Sequence, residues 1–163
     1  MTKTDVPSIY NYRQVDASLV TGGQPTEEQL CSAARDGFEV VINLGLHDDR
    51  RYSLKDETAS VTSLGMQYVH IPVDFTAPSE SDLEKFFAAM DAHEGQKVLV
   101  HCAANKRVTA FLGLYRTIKL GWPADKAFAL MHSVWKPDPV WANFVAVRLA
   151  AKESLKKEAH GHR

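Results

Sequence analysis

Two β-rich runs constrain the fold more than any other feature, because their apolar residues are consecutive instead of alternating with polar ones. The runs are FEVVINLG, residues 38–45, and KVLVHC, residues 97–102. A strand of this kind is covered on both faces of its sheet, as in the parallel sheets of α/β proteins. The two runs therefore predict interior strands of a mostly parallel central sheet flanked by helices.

Helix start signals alternate with the strand patterns along the chain. Thr26 with Gln29 forms a capping box that predicts the start of one helix, and Ser81 with Glu84 predicts another. The further strand patterns are SLVTG at 18–22 and MQYVHIPV at 66–73. Strands that alternate with helices are typical of an α/β fold.

The C-terminal third shows helix patterns alone. From Val108 to Ile118 the apolar residues recur at the spacing of one helix face. Two further helical stretches, 124–135 and 140–155, are separated by Pro137-Asp138-Pro139, which breaks a helix. Residues 152–163 form a charged end that we expect to fray.

Composition indicates a soluble globular protein, with 45% apolar and 24% charged residues. The length of 163 residues predicts a single domain over 1–163 that folds without a disulfide framework or a structural metal. No apolar run is long enough to cross a membrane, and the first ten residues lack a signal-peptide pattern. We therefore expect a cytoplasmic protein that binds no membrane.

The charge is unevenly divided between the two halves of the chain. The net charge of −1 argues against nucleic-acid binding. Residues 1–81 carry six Lys/Arg against twelve Asp/Glu, whereas residues 82–163 carry thirteen against eight. An anion site is therefore expected in the second half.

The segment KVLVHCAANKRVTAFLGLYR, residues 97–116, has the pattern of an anion site. A buried strand delivers Cys102, a short loop with Lys106 and Arg107 follows, and a helix begins at once. Backbone N–H groups of residues 103–108 can converge on an oxyanion, and Arg107 supplies a planar pair of donors. The same positive field favours a thiolate at Cys102, which is the nucleophilic form.

This loop resembles the phosphate-binding loop of the cysteine-dependent protein tyrosine and dual-specificity phosphatases. YNYRQVDASLVTGGQPTEEQL, FEVVINLG and YVHIPVDFTAPSESDLEKF are also similar to small bacterial phosphatase-like proteins of the dual-specificity type. The resemblance implies one phosphatase-like domain and hydrolysis of a phosphomonoester through a phosphocysteine, with no metal or cofactor. The implied partner is a phosphorylated protein or a small phosphomonoester.

The resemblance also implies a role for each matching residue. Cys102 is the expected nucleophile and Arg107 the clamp on the phosphoryl oxygens. His101 is expected to tune the thiolate and brace the loop, and Thr109 to offer its hydroxyl to the sulfur. Asp74, which follows the strand YVHIPV, is the candidate general acid. The remaining loop residues expected to contact substrate are Ala103, Ala104, Asn105, Lys106 and Val108.

The loop departs from the family pattern in its length and in one glycine. Four residues separate Cys102 from Arg107, one fewer than usual, and Asn105 stands at the place of the glycine. A loop of the usual length would put Val108 at the arginine position, whereas a shorter loop keeps Arg107 and replaces the hydroxyl with Val108. We expect a distorted loop in which Arg107 still reaches the anion, because a bound dianion needs that counter-charge.

The short loop leaves two other functions open. Sulfurtransferases of the rhodanese type resemble this segment too, and would carry a persulfide on Cys102. A phosphate-binding pseudophosphatase is the third hypothesis.

For the charged segment 48–51, Asp-Asp-Arg-Arg, a solvated cluster is the favoured interpretation, with substrate recognition by the arginines as the alternative. Cys31 is interpreted as a packing residue.

Overall fold

The computed structural model describes residues 3–161, with side chains through residue 155. A five-stranded sheet has the order β1-β2-β5-β3-β4. The outer pair β1–β2 is antiparallel, and the other neighbours are parallel. The strands are β1 Arg13–Gln14, β2 Leu19–Gly22, β3 Val40–Asn43, β4 Gln67–His70 and β5 Val98–His101. The predicted mostly parallel α/β sheet is confirmed.

The interior strands are apolar at consecutive positions because each supplies two cores. Val40 and Ile42 of β3 face one apolar cluster, and Val41 faces the other. In β5, Val98 and Val100 join the first cluster and Leu99 the second. Successive side chains of a strand point to opposite faces, so an unbroken apolar run is what a sheet covered on both faces requires.

Helices cover both faces of the sheet. They are α1 Glu27–Arg35, α2 Glu57–Thr62, α3 Glu80–Ala92, α4 Lys106–Leu114, α5 Ala124–Ala127, α6 Ala129–Val134 and α7 Pro139–Gly161. A 3-10 turn, Val6–Ser8, precedes the sheet, and a π-helical turn, Tyr115–Lys119, extends α4. Among the described helices, none is long and apolar enough to span a membrane.

The predicted helix starts are confirmed at α1 and shifted at α3. Thr26 and Gln29 form the capping box reciprocally, with bonds of 3.1 and 2.9 Å. At α3 the cap is Ser79, whose side chain accepts the N–H of Asp82 at 3.1 Å, so the predicted start at Ser81 was wrong by two residues. The sequence offers the same Ser-x-x-acid spacing twice, and the earlier one is used.

The C-terminal third is helical, as predicted. The stretch 124–135 is divided at Phe128 into α5 and α6. The last helix continues to Gly161 and so includes most of the segment that was expected to fray, while residues 162 and 163 lie outside the described residues. Trp141 of this helix is fully buried and donates its indole N–H to the carbonyl of Phe75 at 2.8 Å. This bond ties α7 to the segment that follows β4.

Asn105 makes the turn from β5 into α4 possible. Its backbone is left-handed, with φ of 65°, and it is the residue directly before the helix. Its side chain is fully buried, and its amide donates to the carbonyl of Asn11 at 2.9 Å and to the hydroxyl of Thr21 at 3.0 Å. Asparagine tolerates this conformation better than other residues with a Cβ, which explains how it can replace glycine here.

Two variants of Asn105 separate the backbone requirement from the hydrogen bonds. Asn105→Gly and Asn105→Ala both remove the amide bonds, but alanine must also adopt a positive φ, which disfavours it by about 1–2 kcal/mol. We expect urea denaturation to show that Asn105→Ala is less stable than Asn105→Gly by about 1 kcal/mol. Equal stability of the two variants would show that the left-handed turn makes no demand on this residue.

Candidate active site

The loop after β5 lies at the carboxyl edge of the parallel strands. The N–H of Cys102 donates to the carbonyl of Gly22 at 3.3 Å, and the N–H of Gln24 donates to the carbonyl of Ala103 at 3.0 Å. These bonds hold the loop against the chain that leaves β2. In open α/β sheets ligands bind at this edge, beyond the carboxyl ends of the strands.

A cavity of about 330 Å³ opens beside the loop. Cys102 forms part of its wall, although the residue exposes 0% of its surface to bulk solvent. The lining consists of Arg51, Tyr52, Phe75, Cys102, Ala103, Ala104, Lys106 and Arg107. Three of these side chains are cationic, and no carboxylate is among the described lining residues. The cavity is therefore suited to an anion.

Arg107 lines the cavity, and its contact with a bound anion stays a prediction. Its guanidinium is nearly buried, at 6% exposed, and donates to the carbonyl of Val73 at 2.8 Å and to the hydroxyl of Tyr52 at 3.4 Å. The guanidinium carbon lies 5.8 Å from the ring centre of Tyr52 and 5.6 Å from that of Phe75. The structure has the shorter of the two loops considered, with Arg107 in the cavity and Val108 fully buried in the apolar core.

The start of α4 presents unbonded donors at the same place. Among the described residues, no acceptor bonds the backbone N–H groups of Lys106, Arg107 and Val108. The first N–H groups of a helix carry its partial positive charge and bind anions readily. Together with the Arg107 guanidinium, they place positive charge at the cavity that Cys102 lines.

Two further cations stand at the cavity wall. The Lys106 ammonium lies 5.9 Å from the ring centre of Phe75 and 5.6 Å from that of Trp135. Arg51 has an 85% exposed side chain and binds Asp49 with two bonds of 2.6 and 3.0 Å. The Asp49 side chain is only 13% exposed, so the solvated-cluster interpretation fits Arg51 and not Asp49, and Arg51 also lines the cavity.

Thr109, His101 and Asn105 lie behind the loop and outside the cavity lining. The Thr109 hydroxyl donates back to the carbonyls of Asn105, at 2.8 Å, and Lys106, at 3.1 Å. Those contacts use its only proton, so in this conformation the hydroxyl is not offered to the sulfur. His101 is fully buried, and its Nδ1 lies 3.1 Å from the carbonyl oxygen of Cys102.

Asp74 lies beside the cavity but faces solvent. Its carboxylate accepts the N–H of Thr76 at 2.9 Å and the hydroxyl of Thr76 at 2.7 Å. These bonds, and to a smaller extent the charge of Arg107, hold the pKa of Asp74 below its usual range. The next residue, Phe75, lines the cavity in its place.

A second carboxyl group stands in the field of Arg107. The side-chain and backbone hydrogen bonds from Arg51 lower the pKa of Asp49 to about 2, and the charge of Arg107 acts in the same direction. Asp49 is therefore a carboxylate at neutral pH and is already paired. Neither aspartate is poised as a proton donor in this conformation.

Glu57 is the buried polar residue near the loop that sequence reasoning missed. It is the first residue of α2, is 3% exposed, and places its Oε2 2.5 Å from the Nε2 of His101. Its Oε1 accepts the Gln24 amide at 2.8 Å. Burial raises the pKa of Glu57, but the charge and hydrogen bond of His101 outweigh it, so the pKa lies below its ordinary value. In the sequence Glu57 follows the charged residues Lys55 and Asp56, which are exposed, so nothing in the local pattern indicated that Glu57 is buried.

Tyr52 and Phe75 are the aromatic wall residues that the sequence did not single out. Tyr52 follows the charged segment 48–51, and Phe75 follows Asp74. An isolated aromatic residue inside a polar loop was the available signal, because such residues need a surface to cover. Within the part of the chain that the structure describes, no group of three His, Cys, Asp or Glu is placed to hold a metal ion.

Solved structures of phosphatases share this fold. The chain is 34% identical to a protein of the DUF442 group from Shewanella putrefaciens CN-32, covering 92% of this chain and 98% of that one with a TM-score of 0.80. PTPMT1, solved in complex with PI(5)P, has a TM-score of 0.72 at 17% identity over 89% of this chain and 98% of its own. TpbA of P. aeruginosa, solved with phosphotyrosine, has a TM-score of 0.67 at 18% identity over 88% and 91%. The last two show the fold alone.

Curated relatives match a smaller share of their own length. Two Beta-lactamase hydrolase-like proteins from strains of Xylella fastidiosa are 29% identical over 121 residues, which is 73% of this chain and 28% of each relative. A family model described as DSP-PTPase phosphatase fused to NAD+ kinase, PTP-NADK, matches residues 6–157. Because that match spans most of its length, the chain belongs to this phosphatase family, and the resemblance to dual-specificity phosphatases is confirmed.

Proposed function

We propose that the chain hydrolyses phosphomonoesters through a phosphocysteine on Cys102. The observation that carries the proposal is a single cavity lined by Cys102, by Arg107 and by the first residue of α4, Lys106. A tetrahedral dianion fits such a site, since charged donors converge from several directions. Family membership supports the same class of reaction.

The reaction takes place in two displacements. The thiolate sulfur attacks phosphorus, the S–P bond forms as the P–O bond to the leaving group breaks, and the leaving oxygen takes a proton. Water then gives one proton to the carboxylate that protonated the leaving oxygen and attacks phosphorus, the S–P bond breaks, and orthophosphate leaves with the thiolate restored. The site's contribution is positioning and stabilisation of the charge on the phosphoryl oxygens.

Arg107 is suited to clamp the phosphoryl group without rearranging. A guanidinium has five N–H donors, and here one is used by the Val73 carbonyl and one by the Tyr52 hydroxyl. Each terminal nitrogen keeps a second N–H for the substrate. The two existing bonds fix the plane of the group, so little side-chain entropy remains to be lost when the anion binds.

Asp74 is the proposed proton donor to the leaving oxygen. It follows β4 at the same sheet edge, stands next to the wall residue Phe75 and lies in the field of Arg107. To donate, its carboxyl group must exchange the two Thr76 bonds for a position over the cavity. Asp49 is the poorer candidate, because its carboxylate is held by two bonds from Arg51.

Substrates are proposed to be phosphorylated proteins or small phosphomonoesters. The cavity has aromatic rings at Tyr52 and Phe75, which form an apolar surface for the group that carries the phosphate. PI(5)P and phosphotyrosine are bound by PTPMT1 and TpbA respectively, and phosphomonoesters of either kind are candidates here. The cytoplasm stays the predicted compartment.

Sulfur transfer is the second candidate function, because four residues separate Cys102 from Arg107. In that reaction the thiolate takes the outer sulfur of thiosulfate and releases sulfite, and cyanide then removes the sulfur as thiocyanate. Measured thiocyanate formation without phosphatase activity would favour this candidate. Phosphate binding with neither activity would favour a pseudophosphatase.

Substitutions at Cys102 and Arg107 test the proposed hydrolysis. We expect Cys102→Ser to abolish turnover of p-nitrophenyl phosphate, because the hydroxyl is a far weaker nucleophile than the thiolate. Arg107→Lys should lower kcat/KM by about 10²–10³-fold, since one ammonium cannot replace two parallel donors. Cys31→Ser is the matched control and should keep full activity. Full activity of Cys102→Ser would refute the phosphocysteine.

Asp74→Asn tests the proton donor through the leaving group. An alkyl phosphate needs a proton on its leaving oxygen, so kcat should fall by about 10²–10⁴-fold. For p-nitrophenyl phosphate, whose leaving group is stable as an anion, the fall should be much smaller. The matched variant Asp49→Asn should not show this difference. If Asp49→Asn shows it instead, the acid is Asp49.

A further inference from the structure

A groove of about 700 Å³ adjoins the candidate active site. It shares Arg51, Tyr52 and Ala103 with the wall of the cavity, so the two spaces meet along those residues. From there the groove reaches Tyr10 and the start of α1. Because the phosphoryl group is proposed to lie beside Cys102, the groove is a route by which the alcohol part of a larger substrate can leave the cavity.

Tyr10 is an exposed aromatic residue whose backbone is held in place. It lines the groove with 63% of its surface exposed, while its neighbour Ile9 is buried in the apolar core. The Tyr10 carbonyl accepts the N–H of Gly23 at 2.7 Å. A Cβ at Gly23 would lie 2.4 Å from the carbonyl oxygen of Ala103 and 3.0 Å from the Tyr10 ring, so this close approach requires a glycine. The Tyr10 backbone is therefore fixed directly beside the loop after β5.

Asn11 attaches the same segment to that loop. Its side-chain amide donates to the carbonyl of Ala104 at 3.0 Å, and its own carbonyl accepts the amide of Asn105 at 2.9 Å. Its backbone is left-handed, with φ of 53°, which asparagine adopts more readily than most residues with a Cβ. The aromatic ring of Tyr10 thus stands on a fixed support, and a side chain on a fixed support has less freedom to lose when it contacts a ligand.

The charged lining of the groove distinguishes between classes of substrate. The two cations of the lining are Arg51 and Lys55. Two carboxylates, Glu27 and Glu28, stand at the start of α1. An acyl chain in the groove would remove these charges from water and offer them no partner, which is costly. A peptide offers backbone N–H and carbonyl groups and side chains of either charge, so it fits this lining.

We propose that the groove binds the peptide segment that carries the phosphate, and that Tyr10 determines the preference for such a peptide over a free phosphorylated amino acid. This inference rests on the proposed function of Cys102 as the nucleophile, and it selects phosphorylated proteins among the substrates proposed above. The Tyr10 ring packs against the peptide beside the phosphorylated residue. Tyr52 forms the part of the wall that the groove and the cavity share.

The main test compares two substrates that carry the same reacting group. They are O-phospho-L-tyrosine and a short peptide of glycine, serine and alanine with a central phosphotyrosine. We expect the peptide to have the higher kcat/KM in the wild-type protein. Tyr10→Ala should lower the ratio of the two kcat/KM values by about 5–10-fold, because one aromatic contact with the peptide is lost.

Two variants control for effects other than loss of this contact. Trp122→Ala removes an exposed aromatic side chain that lines neither the cavity nor the groove, so it should leave the ratio unchanged. Tyr10→Phe keeps the ring and should retain most of the preference for the peptide. An unchanged ratio in Tyr10→Ala, or an equal fall in Trp122→Ala, would overturn the proposal. So would a loss in Tyr10→Ala confined to a short-chain phosphoinositide, which would assign the groove to a lipid.

Lys55→Glu tests the groove at a second exposed position, which lines the groove and not the cavity. The substrates are two phosphotyrosine peptides, one flanked by glutamates and one by lysines. We expect the ratio of kcat/KM for the glutamate peptide to that for the lysine peptide to fall by about 2–5-fold, as for one exposed charge pair. This test stands even if Tyr10→Ala fails to fold, and an unchanged ratio would contradict a peptide in the groove.

Binding to Cys102→Ser separates recognition from turnover. In calorimetry this variant should bind the glycine, serine and alanine peptide more tightly than free phosphotyrosine, and adding Tyr10→Ala should remove most of the difference. If the peptide binds in this way while the wild-type protein hydrolyses no phosphomonoester, the groove proposal stands and the proposed hydrolysis fails. If the wild-type protein hydrolyses both substrates with equal kcat/KM, the hydrolysis stands and the groove proposal fails.

Discussion

The turn from β5 into α4 is the constraint on which the site depends. Between Cys102 and the first helical residue, the backbone changes from strand to helix through one residue in the left-handed conformation, Asn105. The side chain of Asn105 is buried and bonded to Asn11 and Thr21. Because β5 is the central strand, this turn lies at the middle of the sheet edge. A strand end and a helix start are thereby brought to one point, where a thiol and unbonded N–H groups share a cavity.

Positive charge at this point is organised in layers. Arg107 is held by the Val73 carbonyl and the Tyr52 hydroxyl and faces the cavity, and Lys106 stands over the rings of Phe75 and Trp135. Beneath the loop, the buried side chains of His101 and Glu57 lie within hydrogen-bond distance of each other, and the Gln24 amide bonds the other oxygen of Glu57.

Both carboxyl groups close to Arg107 are engaged with partners outside the cavity. Asp74 is bonded to Thr76, and Asp49 is bonded to Arg51. The proposed proton donation by Asp74 therefore requires its carboxyl group to exchange these contacts during turnover. The carbonyl of the next residue, Phe75, is held by the Trp141 indole.

The sequence alone determined the interior strands, the α1 capping box and the Cys102–Arg107 loop, because these features depend on residues that are near neighbours in the chain. It did not determine which of two similar caps begins α3, where the Thr109 hydroxyl points, or that Asp74 faces solvent. Glu57 and His101 are 44 residues apart, and Tyr52 and Arg107 are 55 apart. They meet only because parallel strands bring their carboxyl ends to one edge, so the tertiary structure alone decided the buried contact between Glu57 and His101 and the aromatic wall.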